Sequence, residues 1–178
     1  ERIAEIPDGT YQFTDYMDSD GVDEGRLKID VKMIVEDTNI TFDLSGSSLE
    51  CRGPFNSPYS NTVTGTMIAV KHVFWDVPIN SGCFEPFTWI IPEGTMLNPR
   101  PPRAVSGTTT ETCAFIVGTT MGALAQALPG QVPAGTFSTG SVVCLGGSSP
   151  NYGEYATLVF LGGGMGGNPD GDGLNNGS

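Results

Sequence analysis

The chain of 178 residues is long enough for one domain of ordinary size or for part of a larger one. Its net charge of −12 argues against a surface for nucleic acid or anionic membranes, since either would need clustered Lys and Arg. Hydrophobic residues make up 38% of the chain and support a core, whereas 25 Gly and 13 Pro favour short strands and many turns over long helices.

The charges are unevenly distributed. All eight basic residues lie at or before Arg103, and residues 104–178 carry only acidic charges, at Glu111, Glu154, Asp170 and Asp172. An exposed surface of that size normally carries more charge. We therefore expect much of the C-terminal half to pack against further parts of its own chain or a partner subunit; a neutral Gly, Ser and Thr surface is the alternative. A start without Met and a polar Gly and Asn tail suggest a piece of a longer polypeptide.

The sequence contains no secretory signal and no stretch of about twenty apolar residues, which predicts a soluble, cytoplasmic protein. Its four Cys are far apart and form no C-x-x-C pair, so buried free thiols are expected rather than a zinc site. The lone histidine, His72, leaves no partner for a catalytic triad or a metal centre, and a surface or core position is preferred for it. If the protein is an enzyme, much of its site lies elsewhere.

Three alternations of apolar and polar residues predict an antiparallel meander with one face toward water. They include Tyr11 and Phe13, then Arg26–Val35, then Ile40–Leu44. Between the first two lies the acidic stretch Asp18–Glu24, which lacks the ligand order of a calcium loop. A solvated acidic turn is the preferred interpretation, with calcium as the alternative.

Two helices are predicted in the middle of the chain. Apolar residues at near-helical spacing place the first over Thr62–Trp75. The second helix is preceded by hydroxyl residues within 106–110, which we expect to cap it. Glu111 lies early in its first turn, and the helix extends to Leu128. Because nearly every side of this second helix is apolar or small, we predict that it is buried.

A proline-rich segment connects the two predicted helices. It contains a predicted strand, Phe87–Ile91, followed by residues 92–102, which can form neither a helix nor an interior strand because Pro removes backbone donors. We expect an ordered, extended connection there.

Two further strands are predicted near the C-terminus, at Ser141–Leu145 and Tyr155–Leu161. The following Gly162–Gly167 satisfies G-x-G-x-x-G, but Asn168 and Pro169 come next instead of a helix that would hold a pyrophosphate. The glycines are more consistent with a loop whose backbone lies close to another strand or a ligand.

The predicted fold is α+β: an antiparallel β-meander and further strands packed with two helices, as part of a larger subunit. We divide it into a meander and loop (1–60), two helices joined by the proline-rich connector (61–130), and strands with the glycine-rich loop (131–178).

Several segments, in one order along nearly the whole chain, share the pattern of a known family. They are Leu44–Ser48, Arg52–Asn56, Asn80–Phe84, Ile91–Pro99, Glu111–Thr112, Gly122–Pro129 and Gly162–Gly166. Together they resemble hydantoinase B, the B-type component of ATP-dependent hydantoinases. That family also covers the C-terminal half of 5-oxoprolinase and related subunits of acetone and acetophenone carboxylases.

The resemblance implies a hetero-oligomer in which ATP is bound by an A-type hydantoinase subunit. In such complexes a lactam or imide oxygen is thought to be phosphorylated, which makes the ring carbon electrophilic enough for water. The resemblance implies that any divalent metal lies in the N-terminal part of the family's B-type component, outside this sequence. Relatives commonly carry polar or charged residues where this chain has Ala114, Phe115 and Gly118, which suggests a divergent branch.

The predicted function is therefore part of a cyclic-amide hydrolase for a hydantoin-like or 5-oxoproline-like substrate, and we expect this piece alone to be inactive. The alternatives are a subunit of an ATP-dependent ketone carboxylase and a non-catalytic scaffold of such a complex.

The candidate site residues are one carboxylate, two loop residues and five glycines. Glu111 is the catalytic candidate, although a carboxylate early in a helix also suits the helix dipole. Arg52 and Asn56 are candidates for holding a carbonyl or phosphate, with hydrogen bonds that stabilise their loop as the alternative. The glycines are Gly162, Gly163, Gly164, Gly166 and Gly167. No metal ligands are predicted.

Overall fold

The computed structural model describes residues 2–175. Its larger sheet contains, in spatial order, β1 (Gly9–Ser19), β2 (Glu24–Glu36), β3 (Asn39–Asp43) and β4 (Phe87–Ile90). The first three strands pair antiparallel, which confirms the predicted meander. The fourth pairs parallel to β3, and a parallel pair needs a crossover, so residues 44–86 leave the sheet before β4 returns to it.

The alternation in β2 decides which face of the sheet is buried. The residues Ile29, Val31, Met33 and Val35 are at most 1% exposed and form the core with β3 and both helices. Asp30 lies on the opposite face, where its carboxylate accepts hydrogen bonds from Gln12 Nε2 at 3.0 Å and Thr14 Oγ1 at 2.5 Å. The opposite face is therefore polar, as predicted, but Asp30 itself is only 8% exposed and does not face water.

Two α-helices, α1 (Tyr59–Val73) and α2 (Cys113–Ala127), pack against each other, and α2 crosses β1 and β2. The first begins three residues earlier than predicted, directly after Pro58, because Pro is tolerated at the start of a helix. The two helices approach closely: a Cβ on Gly65 would lie 2.7 Å from Ile116 Cγ2. The predicted burial of α2 is confirmed, since Gln126 is its only exposed residue.

A π-helical turn, Thr108–Thr112, precedes α2. The prediction that hydroxyls cap this helix is wrong, because no side chain among residues 2–175 caps either the turn or α2. Instead Thr108 Oγ1 donates to the carbonyl of Asn56 at 2.5 Å, and Thr112 Oγ1 donates to that of Phe55 at 2.6 Å. Through these hydrogen bonds the two hydroxyls link the start of the helix to the loop after β3.

Residues 92–102 of the proline-rich connector form neither a helix nor a named strand, as predicted. It is compact rather than extended, because the N–H of Gly94 donates to the carbonyl of Asn98 at 2.9 Å and closes a turn. Met96 and Leu97 inside this turn are fully buried, so the connector contributes to the core.

The remaining strands, β5 (Ser141–Ser149) and β6 (Gly153–Leu161), form a separate antiparallel hairpin. Both strands are longer than predicted, since the residues expected in the loop between them also pair. Within residues 2–175, no helix combines the length and the apolar character needed to cross a bilayer.

Candidate functional site

A groove runs along one side of α2. Its larger part is a cavity of about 470 Å³ between α2, β1 and residues 133–138. A smaller cavity of about 200 Å³ lies beside the start of the helix. Thr136 and Ser138 line both cavities, so the two adjoin and form one site, the α2 groove.

Small residues on α2 make room for the groove. Gly118 faces open space, where a Cβ would meet only Ser138 Oγ, at 3.6 Å. At Gly122 a Cβ would lie 2.5 Å from the ring of Phe13, so this glycine lets β1 pack against the helix. At Gly122 the helix therefore packs directly against β1, whereas at Gly118 it leaves open space on the side of Ser138.

The groove combines mostly apolar walls with a few polar groups. Apolar contacts come from Phe13, Val117, Met121, Ala125 and Pro133. In the larger cavity the polar groups are the half-buried Asp15 carboxylate, the Gln126 amide and the Thr136 and Ser138 hydroxyls. Thr109, Thr110 and Thr139 add hydroxyls in the smaller cavity. Such a lining suits a small, largely apolar molecule that carries a donor and an acceptor. Sequence reasoning missed Asp15, which follows the alternation of Tyr11 and Phe13 without a signal of what its side chain faces.

Glu111 lies on the π-helical turn at one end of the groove, but it lines neither cavity. Its carboxylate Oε2 accepts a hydrogen bond from the hydroxyl of Thr139, a residue that lines the smaller cavity. Nearby, the N–H of Gly140 donates to the carbonyl of Thr110 at 2.6 Å. These bonds hold residues 136–140 against the start of α2, and a catalytic role for Glu111 stays a prediction.

The glycine-rich loop supports the outer wall of the groove. The N–H of Phe137 donates to the carbonyl of Gly164 at 3.0 Å, and the N–H of Ala134 donates to that of Gly167 at 2.9 Å. A Cβ on Gly163 would lie 1.9 Å from Phe137 Cγ. The expectation that these glycines allow a close backbone approach is therefore confirmed, and the neighbour is residues 134–137.

The loop does not match a phosphate cradle. In the described part of the chain it continues into a turn closed by Asn168 and Gly171, not into a helix. The N–H of Met165 is already used, since it donates to the carbonyl of Leu174 at 3.0 Å. A nucleotide phosphate would therefore find no helix N-terminus here.

Asn56 is fully buried in the loop after β3. Its Oδ1 accepts from the N–H of Cys51 at 2.9 Å, and its Nδ2 lies 3.0 to 3.2 Å from the carbonyls of Cys51, Gly53 and Ala104. The side chain thus joins its own loop to the end of the connector. It does not line the groove, and a role in substrate binding stays a prediction.

Arg52 has a side chain that is 66% exposed and pairs with Asp23, with Nη1 2.9 Å from Oδ1. An exposed ion pair of this kind contributes about 1 kcal/mol or less. Arg52 does not line the groove either, so its predicted contact with a carbonyl or phosphate also stays a prediction.

Asp20 was missed as a structural residue. The interpretation of its stretch as a solvated turn is wrong for Asp20, which is only 3% exposed. Its carboxylate accepts from the N–H groups of Asp23 at 2.6 Å, Gly53 at 2.8 Å, Val22 at 2.8 Å and Arg52 at 3.0 Å. These four donors lower the pKa of Asp20 from 3.8 to about 2. Both oxygens already bind N–H groups, which disfavours a calcium site.

The expectation of buried thiols holds for Cys51 but is wrong for Cys144, which is exposed in β5. Burial raises the pKa of the Cys51 and Cys113 thiols, which keeps both protonated and unreactive at neutral pH. Among residues 2–175, no cluster of three or more His, Cys, Asp or Glu could hold a metal ion.

Two solved structures share this fold. The ATP-dependent caprolactamase from Pseudomonas jessenii superposes with a TM-score of 0.84 at 22% identity, over 98% of this chain and 31% of that one. Nucleotide-free acetone carboxylase superposes with a TM-score of 0.83 at 20% identity, over 99% of this chain and 26% of that one.

Sequence comparison gives the relationship directly. A protein of Pseudomonas sp. strain NS671, named as the B-type component of a D-/L-hydantoinase, is 32% identical over 171 residues, which cover 89% of this chain but 29% of that protein. The sequence model for hydantoinase B/oxoprolinase matches residues 1–178. The chain therefore belongs to the hydantoinase B/oxoprolinase family, as its motifs predicted.

Proposed function

We propose that the chain is part of an ATP-dependent hydrolase of cyclic amides, in a cytoplasmic hetero-oligomer with an A-type subunit. The family match over the whole chain carries this proposal. Because the glycine-rich loop does not suit a nucleotide phosphate, we assign ATP to the A-type partner. A divalent metal, where one is needed, would lie in parts of the B-type component outside this sequence, and the chain alone would be inactive.

Within this chain, we assign the substrate ring to the α2 groove. A cyclic amide presents one N–H donor, one carbonyl acceptor and apolar methylene groups. The Asp15 carboxylate can accept from the N–H, and the hydroxyl of Thr136 can donate to the carbonyl. The apolar side chains of α2 and β1 would pack against the methylene groups. Gly118 and Ala114 line the groove with little or no side chain, which leaves space for the ring.

Substrate-dependent ATP turnover tests the function. The chain, within a complete B-type component, is combined with an A-type partner and offered hydantoin, 5-oxoproline, or acetone with bicarbonate. We expect ATP hydrolysis and ring opening with a cyclic amide. Turnover only with acetone and bicarbonate would indicate the carboxylase alternative, and no turnover with any of them would indicate a scaffold.

Replacing Glu111 by Gln is expected to lower turnover of that complex by about tenfold while the melting temperature stays nearly unchanged. Gln keeps the shape and one acceptor for Thr139 but removes the charge at the end of the groove. Steady-state kinetics with the preferred cyclic amide measure the effect. Glu36→Gln, at the exposed end of β2, is the matched control. A loss below about threefold would remove Glu111 from the site.

A further inference from the structure

The β5–β6 hairpin exposes apolar side chains along its whole length. Apart from Ser141 and Ser149, every residue of the two strands is exposed. The large apolar ones are Val142, Val143, Leu145, Tyr155, Leu158, Val159, Phe160 and Leu161. Phe160, which also lines the smaller cavity of the α2 groove, is still 69% exposed. A contiguous apolar surface of this kind marks a site that another protein surface covers.

Both faces of the hairpin are apolar. On one face Val142 lies opposite Phe160, and Cys144 lies opposite Leu158. On the other face Val143 lies opposite Val159. A sheet that packs against one partner alternates between apolar and polar residues, whereas strands buried on both faces carry continuous apolar runs. The pattern of β5 and β6 is that of an interior pair of strands.

The charge and the edges of the hairpin agree with an interior position. Between residues 141 and 161 the only charged side chain is Glu154. In the described part of the chain, β5 and β6 pair only with each other, so each keeps one unpaired edge. Proteins usually protect such edges with charges or cover them. A docking surface for a separate subunit would be one-sided with a polar rim, which this hairpin lacks.

We propose that the hairpin is inserted into the interior of a complete B-type component, where polypeptide beyond the matched stretch covers both faces. The length of the relatives supports the view that this additional polypeptide covers the hairpin. The chain matches 29% of the Pseudomonas sp. strain NS671 protein and 31% of the caprolactamase chain, so more than two thirds of each lies outside the match. The inference rests on family membership and not on the proposed reaction, so a failure of the hydrolase test leaves it intact.

Alkylation of Cys144 by iodoacetamide tests the inference. The rate is followed by peptide mass spectrometry in this chain alone and in a chimera, in which this chain replaces the matching stretch of the Pseudomonas sp. strain NS671 protein. Cys144 is expected to react at least about tenfold more slowly in the chimera. Buried Cys51 serves as the internal reference and should react slowly in both. Equal rates for Cys144 in both samples would overturn the inference.

A substitution on each face adds an independent test. Val143→Asp and Leu158→Asp should each reduce the soluble yield and melting temperature of the chimera but leave this chain alone unaffected. Leu49→Asp, in the loop after β3 and 77% exposed, is the control outside the hairpin that should change neither. Sensitivity at one face alone would indicate a one-sided interface and contradict the proposal.

If the chimera does not fold, sedimentation velocity of this chain alone decides. A monomer with reactive Cys144 supports the inference, because no second copy then covers the hairpin. Concentration-dependent association that protects Cys144 would overturn it in favour of an interface between copies.

Discussion

Replacing Asp20 by Asn is expected to lower the free energy of unfolding by about 3 kcal/mol. The amide keeps the size of the carboxylate. However, its Nδ2 group, itself a donor, would face two of the four backbone N–H groups that now donate to the Asp20 carboxylate. Those two donors would be left buried and unpaired, and the charge would be lost. Denaturant unfolding followed by circular dichroism measures the change.

The exposed neighbour Asp18 provides the matched control. Asp18→Asn removes a charge from the end of β1, two residues before Asp20, without a buried partner and should change the stability by about 0.5 kcal/mol or less. Equal effects of the two substitutions would contradict the structural role of Asp20, since net charge alone would then explain both.

Acid should remove the stabilisation of the fold that the ionised Asp20 carboxylate provides. Its pKa is about 2 in the folded protein and 3.8 in the absence of the fold. A carboxyl group with a lowered folded-state pKa stabilises the fold fully above its unfolded pKa, and this contribution declines as the pH falls from about 4 to about 2. The stability difference between the natural chain and Asp20→Asn should therefore shrink over that window. A difference that stays constant in acid would disagree with the lowered pKa.

Replacing Asn56 by Ala should destabilise the fold by about 3 kcal/mol. The change removes the acceptor for the buried N–H of Cys51 and the donors for the carbonyls of Gly53 and Ala104. Thermal or denaturant unfolding of the isolated chain measures the loss. Asn151→Ala, in the exposed hairpin turn, is the control and should be nearly neutral.

The Asn56 experiment also separates a structural role from a binding role. A stable Asn56→Ala variant whose KM rises in the complete complex would favour the predicted contact with substrate. The structural interpretation also predicts coupling to Asp20, because both side chains hold the backbone of Gly53. The double variant should lose less stability than the sum of the single losses.

The sequence predicted the elements whose burial follows a simple period. The alternation from Arg26 to Val35 places every second residue in the core, and the apolar composition of α2 requires burial on nearly all sides. The family could also be predicted, because its motifs extend along the whole chain in order.

The contacts between loops could not be predicted. Asp20 appears in an acidic run that is typical of a solvated turn, and its donors at Arg52 and Gly53 come from a loop more than thirty residues later. Likewise, Thr108 and Thr112 have the composition of helix caps but bond to the carbonyls of Asn56 and Phe55. The groove depends on residues 133–140, an irregular segment. Its sequence has no helical or strand periodicity from which its position could be predicted.

The parallel pairing of β4 also bears on the order of assembly. Short turns join β1 to β2 and β2 to β3, so closing those pairs costs little chain entropy. By contrast, β4 reaches β3 only after a long connection that contains α1, and such distant pairings form slowly. The meander would then be the early nucleus, and β4 would join the sheet late in folding, once α1 has packed.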